Sequence, residues 1–308
     1  MSLISKLIYQ LYERPRDRLL NCGPRQRWLT EKGRREMEAS AYKLPLPPAV
    51  EGSPVVLHFL TGKKYWYQTA FCLLSFARAA QRPIHPVLFD DGSLSIEHTA
   101  AIQRLFPSLR VVSAAESLTR LDKLLPETRY PSLRARRLVF PLLKKLIDIH
   151  VGQKGYRLQL DSDLLFFRRP DWILEWYDNP QYPLRTKDLD KDYYGYPNSL
   201  LLELSEGRPI PEGINTGVVG INSEDFDWDK MEYWCGELLK RGGASYYQEQ
   251  ALFALLLAGR EQLIPDPKDY IQLPWTPEAL ECKAVMHHYV GTSQRWYFQK
   301  NWRRFVTQ

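Results

Sequence analysis

The chain has 308 residues, with 42 lysines and arginines against 36 aspartates and glutamates, a formal charge of +6 and a pI near 9.0. Its 44% hydrophobic and 25% charged content can build a sizeable core, as one large domain or two ordinary ones, and excludes a disordered chain. The small basic excess is scattered apart from the two ends and comes with no DNA- or RNA-binding motif, so a nucleic-acid partner is not expected.

Residues 1–50 read as an extension. Leu3, Ile4, Leu7, Ile8 and Leu11 recur at helical spacing, followed by Arg14, Arg16 and Arg18. Such a helix lies either on an anionic membrane surface or against its own domain. "AYKLPLPPAVEGSP" follows as a proline-rich linker. The beginning of the sequence lacks a long apolar core and a small-residue cleavage site, so no signal peptide is expected. No run of about 18 apolar residues is present to span a bilayer. The four cysteines, Cys22, Cys72, Cys235 and Cys282, form no CxxC pair, and three sit in apolar periodic segments. They read as buried free thiols of a reducing compartment, giving a cytoplasmic location, peripheral at the inner membrane face if the first helix docks there.

From residue 55 strands and helices alternate. "VVLHFLT" is a buried strand, "YWYQTAFCLLSFARAA" a helix, and "IHPVLFD" a strand ending at Asp90, Asp91 and Gly92. "SIEHTAAIQRLF" is a helix closed by Pro107, "LRVV" a short strand, and "LRARRLVFPLLKKLIDIH" a helix kinked near Pro141. "YRLQL" then leads into Asp161. This rhythm predicts an α/β fold with a mostly parallel sheet and helices on both faces, and ligands beyond the carboxyl ends of the strands. Residues 180–213 read as a long excursion rich in Tyr, Pro and Asp. "INTGVVGIN" is a strand, helices follow at about 227–241 and 246–258, and "CKAVMHH" is a late strand before the basic aromatic tail 291–308.

Asp161 and Asp163 are two apart at a strand end, so they face one point while Ser162 turns away. Carboxylates suit a hard cation such as Mg²⁺ or Mn²⁺, which a nucleotide diphosphate would complete. The plain alternative is a solvated turn with an aspartate capping the next helix. His287 and His288 are adjacent on a strand, so one of the two can face the site, where imidazole is an acceptable third ligand for Mn²⁺. The plain alternative is a pair of satisfied polar histidines.

"YRLQLDSDLLFF" resembles the metal-binding strand of GT-A fold glycosyltransferases, which hold a divalent ion on the diphosphate of a nucleotide sugar with a DxD motif. Three further stretches are similar to the glycogenin and lipopolysaccharide galactosyltransferase branch. "RRLVFPLL" places Arg137 where that branch has a donor-reaching arginine, and "INTGVVGIN" places Asn215, Thr216 and Gly217 beside the donor sugar. "HHYVGTSQRW" places His288 on the metal-ligand histidine and Gly291 beside the phosphates. The four segments keep the family's order over residues 55–296. The family lysine is Gln294 here, and Arg295 next to it would neutralise the departing diphosphate.

"YYQEQALFALLL" occupies the family's Asp-Gln-Asp position with Glu249 in the middle. The resemblance implies a nucleophile in a retaining reaction or a general base in an inverting one; the plain alternative is a glutamate favoured by the helix N-terminus. Thr61 falls at a strand end, Asp90 with Asp91 would reach the base or ribose or else form a "DDGS" turn, and Tyr65 would stack on the base or pack. The implied organisation is an extension at 1–50, a GT-A domain at 51–290 with a nucleotide-sugar half at 51–180 and an acceptor half at 181–290, and the tail. The implied activity moves a sugar from a nucleotide-diphosphate sugar to a glycan or lipid-linked hydroxyl, in surface-glycan or lipopolysaccharide synthesis. A non-catalytic nucleotide-sugar or carbohydrate binder on the same fold is the alternative. A nucleotidyltransferase ranks last, since "LTGKKYW" has one glycine where a phosphate loop needs several.

Overall fold

The computed structural model describes residues 23–189 and 194–306. The amphipathic segment at residues 3–11, with its choice between membrane and domain, lies outside the described residues, as does Cys22. Cys72, Cys235 and Cys282 are free and buried, as expected. The strands are β1 (Val55–Thr61), β2 (Ile84–Asp90), β3 (Arg110–Val112), β4 (Tyr156–Leu160), β5 (Leu164–Phe166), β6 (Leu184–Lys187), β7 (Ile214–Asn222), β8 (Tyr270–Gln272) and β9 (Met286–His288). The helices are α1 (Pro24–Ala41), α2 (Trp66–Ala80), α3 (Ile96–Leu105), α4 (Ala114–Leu124), α5 (Pro131–Val139), α6 (Leu143–Asp148), α7 (Asp171–Asp178), α8 (Asn198–Leu204), α9 (Trp228–Gly242), α10 (Gln248–Leu256), α11 (Glu278–Glu281) and α12 (Gln294–Gln299).

A six-stranded sheet has the order β3-β2-β1-β4-β7-β6, and a three-stranded sheet the order β5-β9-β8. β1 to β4 are parallel, as their alternation with helices predicts. β7 runs antiparallel to both β4 and β6. The two sheets meet at the carboxyl end of β4: the chain leaves the large sheet after Leu160 and enters the small one at Leu164. The backbone binds this joint on both sides. Asp161 N donates to Gly217 O at 2.8 Å, and Tyr289 N donates to Asp163 O at 3.0 Å.

The strongly apolar α2 is buried over nearly its whole length, Trp66 to Ala77 without a break. Phe76 packs edge-on against Phe166 at 4.9 Å, and Phe166 N donates to Ser75 Oγ at 3.1 Å, which fixes the small sheet to the helix. α1 packs on α12 without room for a side chain at Gly33, where a Cβ would meet Phe298 O at 2.0 Å. Gln299 Nε2 donates to Thr30 Oγ1 at 2.9 Å across the same contact. No described helix is long and apolar enough to cross a membrane.

Three expectations are corrected. The helix predicted around Pro141 is two helices, α5 and α6, because proline offers no amide to the ladder and clashes with the preceding turn. The excursion at 180–213 contains β6 and α8, elements too short to print a period among prolines and tyrosines. α4 was not expected at all, although "SAAE" announces it: Ser113 Oγ accepts from Glu116 N at 3.0 Å.

Candidate active site

The carboxyl end of β4 delivers Asp161 and Asp163, and β9 delivers His288 opposite Leu164. Ligand atoms of Asp161, Asp163 and His288 lie within 4.8 Å of one another. His288 Nε2 is 3.2 Å from Asp163 Oδ1 and 3.9 Å from Asp161 Oδ2. Both aspartate side chains are 25% exposed, whereas His288 is buried. Two carboxylates and one imidazole facing one open point fit a divalent ion such as Mn²⁺ or Mg²⁺.

The neighbouring histidines divide as strand alternation requires. His287 turns inward, its Nε2 2.8 Å from Glu278 Oε1, and His288 faces the carboxylates. Asn215 holds His288 in one orientation: its Oδ1 accepts from His288 Nδ1 at 3.2 Å, from Thr186 Oγ1 at 3.2 Å and from Gly217 N at 2.9 Å. Nε2 is thereby left toward the carboxylates, the support that imidazole ligands usually have. Burial alone would lower the His288 pKa, but Asp163 and Asp161 outweigh it and hold it above the ordinary histidine value. Gly217 gives this imidazole its place, since a Cβ there would meet His288 Cε1 at 2.5 Å and Asn215 Oδ1 at 2.7 Å. Gly217→Ala is therefore expected to weaken Mn²⁺ binding about 10- to 100-fold by displacing the ring. Calorimetric titration with Mn²⁺ checks it, and unchanged affinity would remove this role.

Lys145, which the sequence reading passed over, completes the cluster. Its Nζ donates to Asp161 Oδ1 at 2.7 Å and lies 3.2 Å from Glu249 Oε1. The lysine is 4% exposed and Glu249 3%. Burial disfavours the ammonium, but Asp161 and Glu249 more than offset it and raise the Lys145 pKa. Burial pushes the Glu249 carboxyl up to about 7, with Lys145 acting against the shift and Asp161 adding to it. The two strand-end aspartates are thus compensated separately, Asp161 by Lys145 and Asp163 by His288.

The other expected site residues are placed as follows. Arg137 is not brought to the carboxylate pair; its guanidinium grips Asp148 in a buried fork, Nε–Oδ1 2.6 Å and Nη2–Oδ2 2.5 Å. The cation beside the DxD carboxylate is Lys145, one helix later. Ser162 turns away, as its position predicted: the hydroxyls of Thr61, Thr69 and Ser162 form a chain of hydrogen bonds of 2.8 and 2.9 Å in the interior. Asp90 closes a turn, its Oδ1 accepting from the amides of Gly92, Ser93 and Leu94, so the turn reading of "DDGS" holds. Tyr65 is 49% exposed at the mouth; burial raises its pKa, with Asp163 and Asp91 adding to the shift. Thr216 is buried and interacts with Glu249. Gly291 takes φ +51° at the start of the turn after β9. The Arg295 guanidinium lies 4.1 Å over the ring of Trp296.

No protein-family model matches the chain, and no curated protein matches it. Among solved structures, the galactosyltransferase LgtC in complex with donor and acceptor sugar analogs matches with a TM-score of 0.51 at 14% identity, covering 82% of this chain and 97% of LgtC. An active-site glutamine-to-glutamate mutant of LgtC gives 0.50 at 14% identity, over 77% of this chain and 88% of that one. Mouse xyloside xylosyltransferase 1 in its apo form gives 0.48 at 16% identity, over 77% of this chain and 97% of its own. The fold is that of LgtC, the GT-A fold of glycosyltransferases, as the sequence motifs implied.

Proposed function

We propose that the protein is a metal-dependent glycosyltransferase that passes a sugar from a nucleotide-diphosphate sugar to a hydroxyl of a glycan or lipid-linked acceptor. The observation that carries this reading is the convergence of Asp161, Asp163 and His288 at the carboxyl end of the sheet in a GT-A fold. Asp161, Asp163 and His288 would hold Mn²⁺ or Mg²⁺, which supplies positive charge against the leaving diphosphate. LgtC, whose fold this chain shares, has been solved with donor and acceptor sugar analogs, which supports a sugar donor and acceptor here.

The chain's own groups set the rest. Asn215, by accepting from His288 Nδ1, keeps Nε2 aimed at the point between the two carboxylates where the ion would sit. Lys145 holds Asp161 in place by donating to its Oδ1. Glu249 lies behind Lys145, so attack on an anomeric carbon would require it to leave that lysine; its burial supports a role in orienting Lys145 and in charge stabilisation. Tyr65, half exposed at the mouth, suits stacking on a base.

A thermal-shift screen of nucleoside diphosphates tests the reading. The largest shift is expected with Mn²⁺ and nucleotide together, well beyond that of either alone, since binding at about 100 times Kd adds about 2.7 kcal/mol to the folded state. Release of nucleoside diphosphate from the matching sugar donor should follow. No shift with any diphosphate would sink the proposal, and binding without turnover toward any acceptor would leave a non-catalytic binder.

A further inference from the structure

The large sheet carries a second recess, away from the carboxylates. It has a volume of about 300 Å³, room for about ten waters. Val56 and His58 of β1, Val87 and Phe89 of β2, Arg110 and Val112 of β3 and Tyr156 and Arg157 of β4 line it, with Arg120 of α4, Gln153 and Tyr177. Arg110 is the first residue of β3, and Tyr156 and Arg157 are the first two of β4, whereas the aspartate cluster follows the last residue of β4. At about 3.3 Å per residue, His58 lies roughly 10 Å along β1 from Thr61 at the catalytic end.

Three arginines enter this recess, and its lining contains no carboxylate. The nearby acids are already engaged. Asp148 is held by the Arg137 fork, and Glu116 accepts from Arg110 at the rim at 3.2 Å. Arg120 donates to the main-chain carbonyl of Asp148 at 2.8 Å, and Arg157 to Gln153 Oε1 at 2.5 Å. Arg157 also points Nη1 at His58 Nε2, 2.8 Å away. His58 Nδ1 donates to Leu158 O at 3.0 Å, which leaves Nε2 as a neutral acceptor for Arg157; burial first, then Arg157, lowers the His58 pKa to about 4. The buried Nε atoms of both Arg120 and Arg157 have no hydrogen-bond partner among the described residues. Buried guanidinium donors left unmatched are costly, and the like charges of Arg110, Arg120 and Arg157 repel one another.

We propose that this recess binds a phosphorylated small molecule, with the phosphoryl group among Arg110, Arg120 and Arg157 and an apolar or flat body against Val56, Val87, Phe89 and Tyr177. A carboxylate would offset one of the three charges. A phosphate monoester carries about −1.5 to −2 and three acceptor oxygens, enough to offset the charge of the three arginines and to accept from the N–H groups they have left. The site is separate from the proposed donor site.

Inorganic phosphate and glycerol 3-phosphate, with divalent ions chelated, are the probes for calorimetry on the full chain carrying Asp163→Asn. That background silences the donor site, so the result does not depend on the glycosyltransferase reading. One saturable site is expected, tightest for the ester and weakened at least about 10-fold by Arg120→Gln or Arg157→Gln. Arg110→Gln serves as the variant safe for folding, because the Arg110 side chain is 66% exposed and carries only the rim pair; it too should weaken binding. Co-sedimentation with phosphatidic-acid vesicles against phosphatidylcholine vesicles separates a lipid headgroup from a free ester as the source, since a lipid source predicts Arg110-dependent pelleting. Absence of saturable phosphate binding, or binding indifferent to all three arginine substitutions, overturns the proposal.

Discussion

Lys145→Met is expected to destabilise the fold by about 3 kcal/mol at neutral pH, lowering the melting temperature by roughly 6 °C. The substitution keeps the volume and removes the ammonium between Asp161 and Glu249, leaving Glu249 buried and Asp161 three-quarters covered without their cation. Removing one partner of a buried pair costs about 3–5 kcal/mol, and the lower end applies because Glu249, already pushed up to about 7, can take a proton. The pH dependence follows from that direction. A carboxyl raised above its ordinary value contributes stability that is complete below 4.5 and is lost as pH rises through about 7. Without Lys145, which lowers the Glu249 pKa, the loss continues further up the scale. The gap between native protein and variant should therefore widen above neutrality, by at most about 1.4 kcal/mol per pH unit. Urea unfolding on either side of neutrality measures it. Glu249→Gln in the Lys145→Met background should flatten the trend, and a gap independent of pH in both backgrounds would show that Glu249 is not the titrating group.

Asp163→Asn should lower kcat/KM for sugar transfer about 1,000-fold, the scale of several kcal/mol of lost charge stabilisation, with little net change in stability, because the His288 contact weakens while repulsion from Asp161 is relieved. The amide has the same shape, and its introduction removes repulsion from Asp161 on the far side of Ser162. Asp163 is also the better probe of the pair, because Asp161 is tied to Lys145 and its loss would mix folding with function. Steady-state kinetics with Mn²⁺ and a melting curve decide the matter. Activity within about 10-fold of the native protein would place the reacting centre elsewhere.

Periodicity made much of this architecture readable. "IHPVLFD" and "INTGVVGIN" coincide with β2 and β7, because buried strands bounded by turn residues leave a clear print. The partition of His287 from His288 followed from strand alternation alone, and the buried cysteines from their apolar neighbours. Lys145 was not readable. In "PLLKKLID" it stands beside Lys144, and nothing local tells which of two lysines turns inward; Lys144 instead reaches Asp91 O at 2.8 Å. A signal did exist, since α6 is apolar enough to be buried and a charge on such a helix needs a partner. Arg137 shows the opposite hazard. A motif assigned it to the donor, but the break at Pro141 and the added helix set it against Asp148, a partner eleven residues on that no motif includes.

The acidic cluster straddles the joint between the two sheets. Asp161 and Asn215 belong to the large sheet's side, while Asp163 and His288 belong to the small one, and the 3.2 Å bond from His288 to Asn215 crosses between them. A slide of one sheet past the other would part these four side chains at once. The cluster therefore keeps its shape only while the two sheets keep their register, and each bond across the joint is at once a structural tie and part of the site.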